Sequence, residues 1–144
     1  MTKHDAVKEF FFPKLKELAK TNLKFNFSDE SPDSMAIITN YAGKQIKKYV
    51  RGSEKEYGFS VIIVKDYSKD EDDLNLQAMN FAQSVMEWIE QQNKKRIFPD
   101  FGNKCQIKRM ENLQNMPNLS GINPEEGLAR YMLQCRIIYF ERND

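Results

Sequence analysis

Few residue types in this 144-residue chain could perform chemistry, and they stand far apart in the sequence. Nucleophilic hydrolysis needs a base beside an activated serine or cysteine, and the sole histidine is His4. Because chain ends commonly fray, we expect His4 to be a poor candidate for that base. The two cysteines, Cys105 and Cys135, have neither CxxC spacing nor a neighbouring histidine, so they match no zinc or redox motif. We interpret them as reduced, buried thiols that adjacent strands could bring together.

Acidic and glycine-containing segments offer no better site. Residues 70–73 read DEDD, but they lack the spacing of a calcium-binding loop and favour the solvated N-terminus of a helix. The six glycines are dispersed and form no phosphate-binding loop. We therefore predict no catalytic residue, no metal site and no cofactor, and we expect that the chain is not an enzyme.

One local segment has the composition of a contact for a nucleic-acid backbone. Four cations lie close together, with Tyr41 and Tyr49 among them: Lys44, Lys47, Lys48 and Arg51. Cations bind phosphates and aromatic rings stack on bases, so this predicted hairpin could contact nucleic acid. Lysines also protect exposed sheet edges from unwanted pairing, and we favour this second interpretation, a solvated edge hairpin.

The whole chain has the size and charge of one domain without a strong field around it. A length of 144 residues is typical of a single domain, here 1–144. The 22 basic and 21 acidic residues give a net charge of +1, which excludes a global attraction for nucleic acid or anionic membranes. The mean hydropathy is −0.70 and no apolar run has membrane-spanning length, so we expect no membrane contact and synthesis in the cytoplasm.

Hydrophobic periodicity predicts helices at two places. Residues 3–20 repeat apolar side chains at spacings of three and four, and Pro13 should kink or divide this N-terminal helix. A longer amphipathic helix is predicted from Ser68 to about Lys95, because Ser68 and Glu71 form a capping box. Its core-facing stripe consists of Leu74, Ala78, Phe81, Ala82, Val85, Trp88, Ile89 and Gln92.

Period-two alternation predicts the strands. Short strands are expected at 23–27, around 36–38 and at 46–50, with turns at SPDS and at NYAG, and a central strand follows at 57–67. Two more strands are predicted at 104–113 and 127–142, separated by a loop. The core face of the last strand carries Tyr131, Leu133, Cys135, Ile137 and Tyr139. The pattern predicts an α+β fold, in which an antiparallel or mixed sheet of about five to six strands has the long helix packed on one face, beside the N-terminal helix.

The margin of the long helix is the predicted contact with another subunit. Met79 and Met86 are two turns apart and flank the core-facing stripe. Because methionine adapts to irregular surfaces, an apolar margin beside a satisfied stripe suggests burial by a partner. The predicted contact residues are Leu76, Met79, Gln83 and Met86.

The element order and two long stretches resemble the tail terminator proteins of tailed bacteriophages and prophages, a group often labelled minor capsid proteins. The stretches are FSVIIVKDYSKDEDDLNLQAMNFAQSVMEWIEQQNKKRIFPDF and ARYMLQCRIIYFER. The resemblance covers the chain from about Leu23 onward and includes the WIEQQ segment before Phe98, but it transfers no site motif. It implies a structural virion protein at the head–tail junction, whose copies form a ring, expected to be a hexamer, that caps the tail tube.

The same resemblance implies the partners: further copies of the chain, the tail tube protein and the head-connector protein, with DNA only passing through the ring. Strand edges and residues 115–127 are further expected contacts. A head-to-tail joining or stopper protein would have the same features, and gene neighbourhood would separate these two roles. From a different class, a small nucleic-acid-binding module would depend on the hairpin 41–51.

Overall fold

A computed structural model describes residues 2–19, 23–25, 34–68, 72–123 and 125–143, without the side chains of residues 19, 72 and 74. In these ranges the chain forms helices α1 (Lys3–Ala19) and α2 (Asp72–Lys95). Its strands are β1 (Leu23–Phe25), β2 (Met35–Tyr49), β3 (Gly52–Asp66), β4 (Cys105–Asn112), β5 (Asn118–Asn123) and β6 (Leu128–Arg142). The predicted α+β class is confirmed, with two helices and one mixed sheet of six strands, where about five to six strands were predicted.

The sheet is built around β3 and β6, which pair antiparallel along their whole length, from Gly52 opposite Arg142 to Asp66 opposite Leu128. β2 pairs antiparallel with β3, and β1 adds in parallel to the first residues of β2. On the far side of β6, β4 pairs with its C-terminal half and β5 with its N-terminal part. Since β3 has a neighbour on each side and Ile62 and Val64 are as well buried as the core-facing residues, the predicted central strand is confirmed.

Side chains of both helices and of alternate sheet residues form one hydrophobic core. In the two central strands, β3 and β6, the completely buried apolar side chains are Tyr57, Phe59, Val61, Ile63, Leu133, Cys135, Ile137 and Tyr139. α1 places Phe11 against Phe59, with ring centroids 5.1 Å apart, and against Trp88 of α2, at 5.7 Å. Full burial of such a side chain stabilises a fold by about 1.5–3 kcal/mol, so this contact joins the helices to the sheet.

The N-terminal helix continues through Pro13, so the predicted division of that helix is wrong. Pro13 is exposed, while Phe11 and Leu15 on either side of it are completely buried. Burial of these two side chains holds both turns against the core, which offsets the hydrogen bond that proline cannot donate.

β2 is one long strand, so the turn predicted at NYAG is wrong. Its register against β3 shifts three times, between Thr39 and Tyr41, between Tyr41 and Lys44, and between Gln45 and Lys47. Gly43 lies at the second shift with φ 75°, a conformation that costs glycine little. The glycine therefore serves a β-bulge, and the chain reverses only after Tyr49.

The segment predicted as a loop between the last two strands contains β5. This strand pairs with β6 from Asn118 opposite Met132 to Asn123 opposite Leu128. All residues of β5 are exposed, so its sequence has no alternation of buried and exposed residues that would predict a strand. Only its backbone pairing with β6 defines it. The prediction of an unpaired loop is wrong over these residues.

A register shift in β4 between Ile107 and Arg109 changes which side chains face the core. Ile107 and Met110 are both buried, although strict alternation predicts opposite faces for them. One extra residue in a strand exchanges the two faces beyond it, which explains the error.

Some expectations fall at the limits of the described chain. The strand end at Phe27, the SPDS turn around Pro32 and the acidic residues 70 and 71 lie outside the described residues, as does the side chain of Leu74. Ser68 precedes α2 and forms two hydrogen bonds with the Asn75 side chain. The Ser68 N–H donates to Asn75 Oδ1 at 3.1 Å, and Asn75 Nδ2 donates to the Ser68 carbonyl at 2.7 Å. No helix in the described ranges is long and apolar enough to cross a membrane.

The two cysteines are free and are not neighbours in the sheet. Cys105 lies opposite Glu141, whereas Cys135 lies opposite Asn112, at the other end of β4. Burial raises the pKa of the Cys135 thiol well above its ordinary value. Both residues are therefore separate thiols, and of the two predicted buried thiols only Cys135 is buried, since Cys105 is partly exposed.

Candidate functional site

A cluster of titratable and polar groups lies where α1 begins, beside the β2–β3 hairpin. We call it the α1-end cluster, which consists of Lys3, His4, Thr39, Lys55, Tyr57, Cys105, Tyr139 and Glu141. The start of α1 is fixed by reciprocal bonds: the Thr2 backbone N–H donates to Asp5 Oδ2 at 3.0 Å, and the Asp5 N–H donates to Thr2 Oγ1 at 3.1 Å. The Thr2 backbone N–H and the Thr2 hydroxyl, which also donates to Asp5 Oδ2 at 3.0 Å, lower the pKa of Asp5. The cluster is thus held by an ordered helix end.

His4 is tied to the sheet, and the expectation that it frays is wrong. Its Nδ1 lies 2.8 Å from the Tyr57 hydroxyl, which lies 2.8 Å from Thr39 Oγ1. The His4 ring also meets Phe25 and Tyr57 edge-on, with centroids 6.3 Å and 5.6 Å away. Burial raises the pKa of Tyr57, so its phenol stays protonated and can donate one of these hydrogen bonds.

Glu141 is the electrostatic centre of the cluster. Lys55 Nζ donates to one carboxylate oxygen at 2.7 Å, and Lys3 Nζ donates to the other at 3.0 Å. These two hydrogen bonds lower the pKa of Glu141 to about 2. Cys105 Sγ donates to the same carboxylate at 3.3 Å, and burial together with Glu141 raises the pKa of that thiol. Because the thiolate is the nucleophile, Cys105 is a weak one at neutral pH.

Tyr139 differs from its neighbour Tyr57. It is completely buried, its ring meets Phe101 edge-on at 5.1 Å, and Lys3 Nζ lies 5.5 Å from its ring centroid. Yet its hydroxyl has no hydrogen-bond partner within the described part of the chain. Burial, and then Glu141, raise the pKa of Tyr139, so the phenol stays protonated.

The predicted basic segment lies at the outer end of the β2–β3 hairpin, with three of its cations on β2 and Arg51 in the turn. All four are exposed: Lys44, Lys47, Lys48 and Arg51. Lys44 Nζ lies 5.5 Å from the Tyr41 ring centroid, and Lys47 Nζ lies 5.1 Å from that of Tyr49. In the register of the sheet Lys44 is opposite Glu56 and Lys47 opposite Glu54, so carboxylates partly offset the positive charge.

The same strand presents an open edge. β1 pairs with β2 only from Met35 to Ile37, and no other described strand pairs with the side of β2 that faces away from β3. We call the segment from Ile38 to Val50 the outer hairpin edge. Ile46 is 48% exposed on it and Val50 98% exposed at its tip. Unpaired backbone groups and exposed apolar side chains therefore occur together here.

A buried ion pair anchors the base of this hairpin on the opposite side of the sheet from the helices. Arg136 Nη1 donates to Glu56 at 2.9 Å, and its Nε donates to Glu111 at 2.6 Å. The Glu56 side chain is only 6% exposed. The Tyr41 ring covers Gly58 so closely that a Cβ there would lie 2.4 Å from a ring atom. Glycine at this position is therefore required by packing.

The predicted subunit-contact residues on α2 separate into two groups. Leu76 is 58% exposed, and Met79 and Gln83 are half-buried, so they remain available. Met86 is 1% exposed and belongs to the core, so the prediction that it flanks the core is wrong. The stripe is wider than expected because α2 also packs against β4, where Asn112 Nδ2 donates to the Met86 carbonyl at 3.0 Å.

Within the described ranges, no group of three or more His, Cys, Asp or Glu side chains could hold a metal ion. His4 bonds to Tyr57 and Thr39, whereas Cys105 bonds to Glu141, so these contacts do not join the histidine to the thiol. Sequence reasoning missed the α1-end cluster, although the T-x-x-D capping pattern of residues 2–5 marks an ordered helix start. No protein-family model and no curated protein matches this chain.

Proposed function

We propose that this protein is a structural subunit of a tailed-phage virion, a tail terminator whose copies close into a ring on the tail tube. The proposed ring is a hexamer that meets the tail tube protein on one side and the head-connector protein on the other. No catalytic activity is part of this role. The resemblance of the segments 59–101 and 129–142 to tail terminators motivates the proposal, and the edges of the sheet support it physically.

The observation that carries the proposal is the pair of different open edges. The outer hairpin edge lies at one side of the sheet, and β4 and β5 lie end to end at the other. An unpaired strand is a template for a strand from another chain. Because the two edges differ, pairing one with the other in the next copy is a heterologous contact, which closes into a ring where the rotation permits. In the proposed subunit no described strand pairs with the outer side of β2 beyond Ile37 or with the outer side of β5. The β4 part of the opposite edge is covered instead, because Asn93 Oδ1 accepts from the Met110 N–H at 2.9 Å and Arg96 donates to the Ile107 carbonyl at 3.4 Å.

Exposed apolar side chains accompany both edges. Ile46 and Val50 belong to the outer hairpin edge, and Leu119 and Ile122 of β5 are 42% and 43% exposed at the opposite one. Burial of apolar surface contributes about 25 cal/mol per Å², so joining two such edges adds hydrophobic energy to backbone pairing. The lysines on the outer hairpin edge are consistent with pairing between copies. They oppose pairing with unrelated strands and favour a partner edge of complementary charge.

The helix residues Leu76, Met79 and Gln83 are the second proposed contact, for the tail tube or a neighbouring copy. They form an exposed to half-buried strip on α2. Whether this strip or the sheet edge closes the ring can be decided by matched substitutions. Val50→Asp places a charge on the outer hairpin edge, and Leu76→Asp places the same charge on an exposed apolar residue of the helix, where Leu76 is 58% exposed and Val50 is 98% exposed.

Size-exclusion chromatography with light scattering, at several concentrations, tests the proposal. The wild type is expected to form a closed oligomer, alone or with a tail tube protein. Val50→Asp should shift that oligomer to monomer, whereas Leu76→Asp should not, if the edges close the ring. A strict monomer in every condition, including with the tail tube protein, would overturn the proposed function. Gene neighbourhood would distinguish a terminator from a stopper.

A nucleic-acid-binding module is a second candidate because of the four exposed cations of the hairpin. This role predicts DNA binding that weakens with salt and with the double substitution Lys47→Glu and Lys48→Glu. A fluorescence-anisotropy titration with duplex and single-stranded DNA measures it. Absence of binding at low salt would dispose of this candidate and leave the ring proposal untouched.

A further inference from the structure

Beside the start of α1 there is an open recess of about 440 Å³ between the helix end and the bulge of β2. Its walls come from the first turn of the helix, the bulged strand, β3, β6 and the segment after α2. The lining residues are Thr2, Lys3, His4, Ala42, Gly43, Lys55, Phe101 and Tyr139. A single water occupies about 30 Å³ in the liquid, so the recess has room for a larger group.

The Tyr139 hydroxyl is the first sign of a ligand. It is a buried polar atom without a hydrogen-bond partner among the described residues, whereas the Tyr57 hydroxyl has both His4 and Thr39. Buried hydroxyls are rarely left unpaired, because each loses its hydrogen bonds to water without replacement. A Cβ on Gly43 would lie 3.8 Å from the Tyr139 oxygen, so the glycine leaves space beside it.

The charges around the recess favour a negative ligand. Lys3 and Lys55 share one carboxylate, that of Glu141, so the two ammonium groups leave one positive charge uncompensated. Each ammonium has three N–H donors, and Glu141 takes one from each. Cys105, the remaining partner of Glu141, is a protonated thiol and adds no charge. Spare donors on two cations and a spare phenolic donor therefore meet at one place.

The helix end adds to this preference. The positive end of the α1 macrodipole points at the recess, where Thr2, Lys3 and His4 form the wall, and helix N-termini favour anions. The one carboxylate of that turn, Asp5, is bonded to Thr2 and does not line the recess. The dipole thus acts in the same direction as the two lysines.

We propose that this recess binds a small oxyanion of the phosphate or carboxylate type, with one oxygen accepting a hydrogen bond from the Tyr139 hydroxyl and the others facing Lys3 and Lys55. This inference is independent of the ring proposal. The ligand neutralises the excess positive charge and satisfies the buried phenol at the same time.

Titration of the ¹⁵N-labelled protein with inorganic phosphate, at neutral pH and constant ionic strength, tests the proposal. Saturable shifts are expected at the amides of His4, Gly43 and Lys55. A parallel titration with acetate shows which oxyanion class the recess prefers. Tyr139→Phe removes one oxygen atom and should weaken binding about tenfold, because hydrogen bonds to charged groups are strong.

Lys3→Met is a second test, at a partly exposed residue, in case Tyr139→Phe does not fold. It should also weaken binding of the oxyanion about tenfold. Lys48→Met is the matched control, since it removes an exposed lysine outside the recess and should bind as the wild type does. Shifts that never saturate for either anion, or unchanged affinity in a folded Tyr139→Phe and in Lys3→Met, would overturn the proposal and leave only water beside the phenol.

Discussion

The two halves of the β2–β3 hairpin differ in burial and in pairing. From Tyr57 to Val64, β3 is buried on both faces, and it pairs with β2 and β6. Toward the tip, from Lys44 to Arg51, every residue is exposed, and the outer side of β2 pairs with no described strand. The same two strands thus supply the centre of the core and an extended free edge. Stability should reside in the first half and contact with partners in the second.

The largest expected effect comes from the buried half. Phe59→Ala removes a completely buried ring that contacts Phe11 and Tyr57, and it should lower the free energy of unfolding by about 3–5 kcal/mol. Urea denaturation followed by the fluorescence of Trp88 measures this. Val50→Ala at the tip is the control and should change stability by less than about 0.5 kcal/mol. Equal losses in both variants would erase the proposed distinction between the halves.

The junction between the halves should show the next effect. Arg136→Met leaves Glu56 buried without its ion-pair partner, so we expect a loss of about 2–3 kcal/mol in the same denaturation experiment. The control is Arg109→Met, whose guanidinium bonds to Glu111 at 3.4 Å on a more exposed side chain. That variant should stay within about 0.5 kcal/mol of the wild type. If the two arginine variants were equally stable, the ion pair would not anchor the hairpin.

A smaller, pH-dependent effect is expected from Glu141. Its folded-state pKa of about 2 lies below the unfolded value, so its stabilisation is complete above that unfolded value and is lost as the pH falls through the folded one. Glu141→Gln should therefore be less stable by about 1 kcal/mol at pH 7, since partial exposure screens the pairs. The difference should shrink as the pH falls from the unfolded pKa toward the folded one and vanish only below pH 2. A constant difference across this range, measured by thermal unfolding, would contradict the ion-pair account.

The smallest effect on stability should accompany the largest effect on assembly. Ile46→Asp on the outer hairpin edge should change the free energy of unfolding by less than about 0.5 kcal/mol, because Ile46 is 48% exposed. It should nevertheless prevent the ring, as judged by light scattering. A variant that assembles normally would move the contact away from this edge.

The regions that could be predicted from the sequence are those where burial imposes a period. The stripe of α2 at Ala78, Ala82, Val85 and Ile89, and the alternation of β6, both follow from side chains that face the core. The position of Met86 was predicted wrongly because the 3.6-residue period shows only where the buried face of α2 is centred. The width of that face depends on how α2 packs against β4. The bulge in β4 likewise moved Met110 to the core without altering the local composition.

The remaining features depend on backbone pairing and on contacts between distant residues. β5 carries no buried side chain, so nothing in its alternation could announce it. The α1-end cluster joins Lys3, Lys55 and Glu141 only because the register of β3 with β6 and the start of α1 bring them together. Near this cluster, only the capping pattern of Thr2 and Asp5 can be recognised in the sequence. That pattern predicts an ordered first turn, which includes His4.

The central claim, that copies of this chain close into a ring, is tested most directly by negative-stain electron microscopy of the purified protein, alone and with the tail tube protein. We expect closed rings of uniform size, and rings at the ends of tubes when tube protein is present. Separate single subunits in both preparations, at concentrations where light scattering finds no oligomer, would contradict the claim.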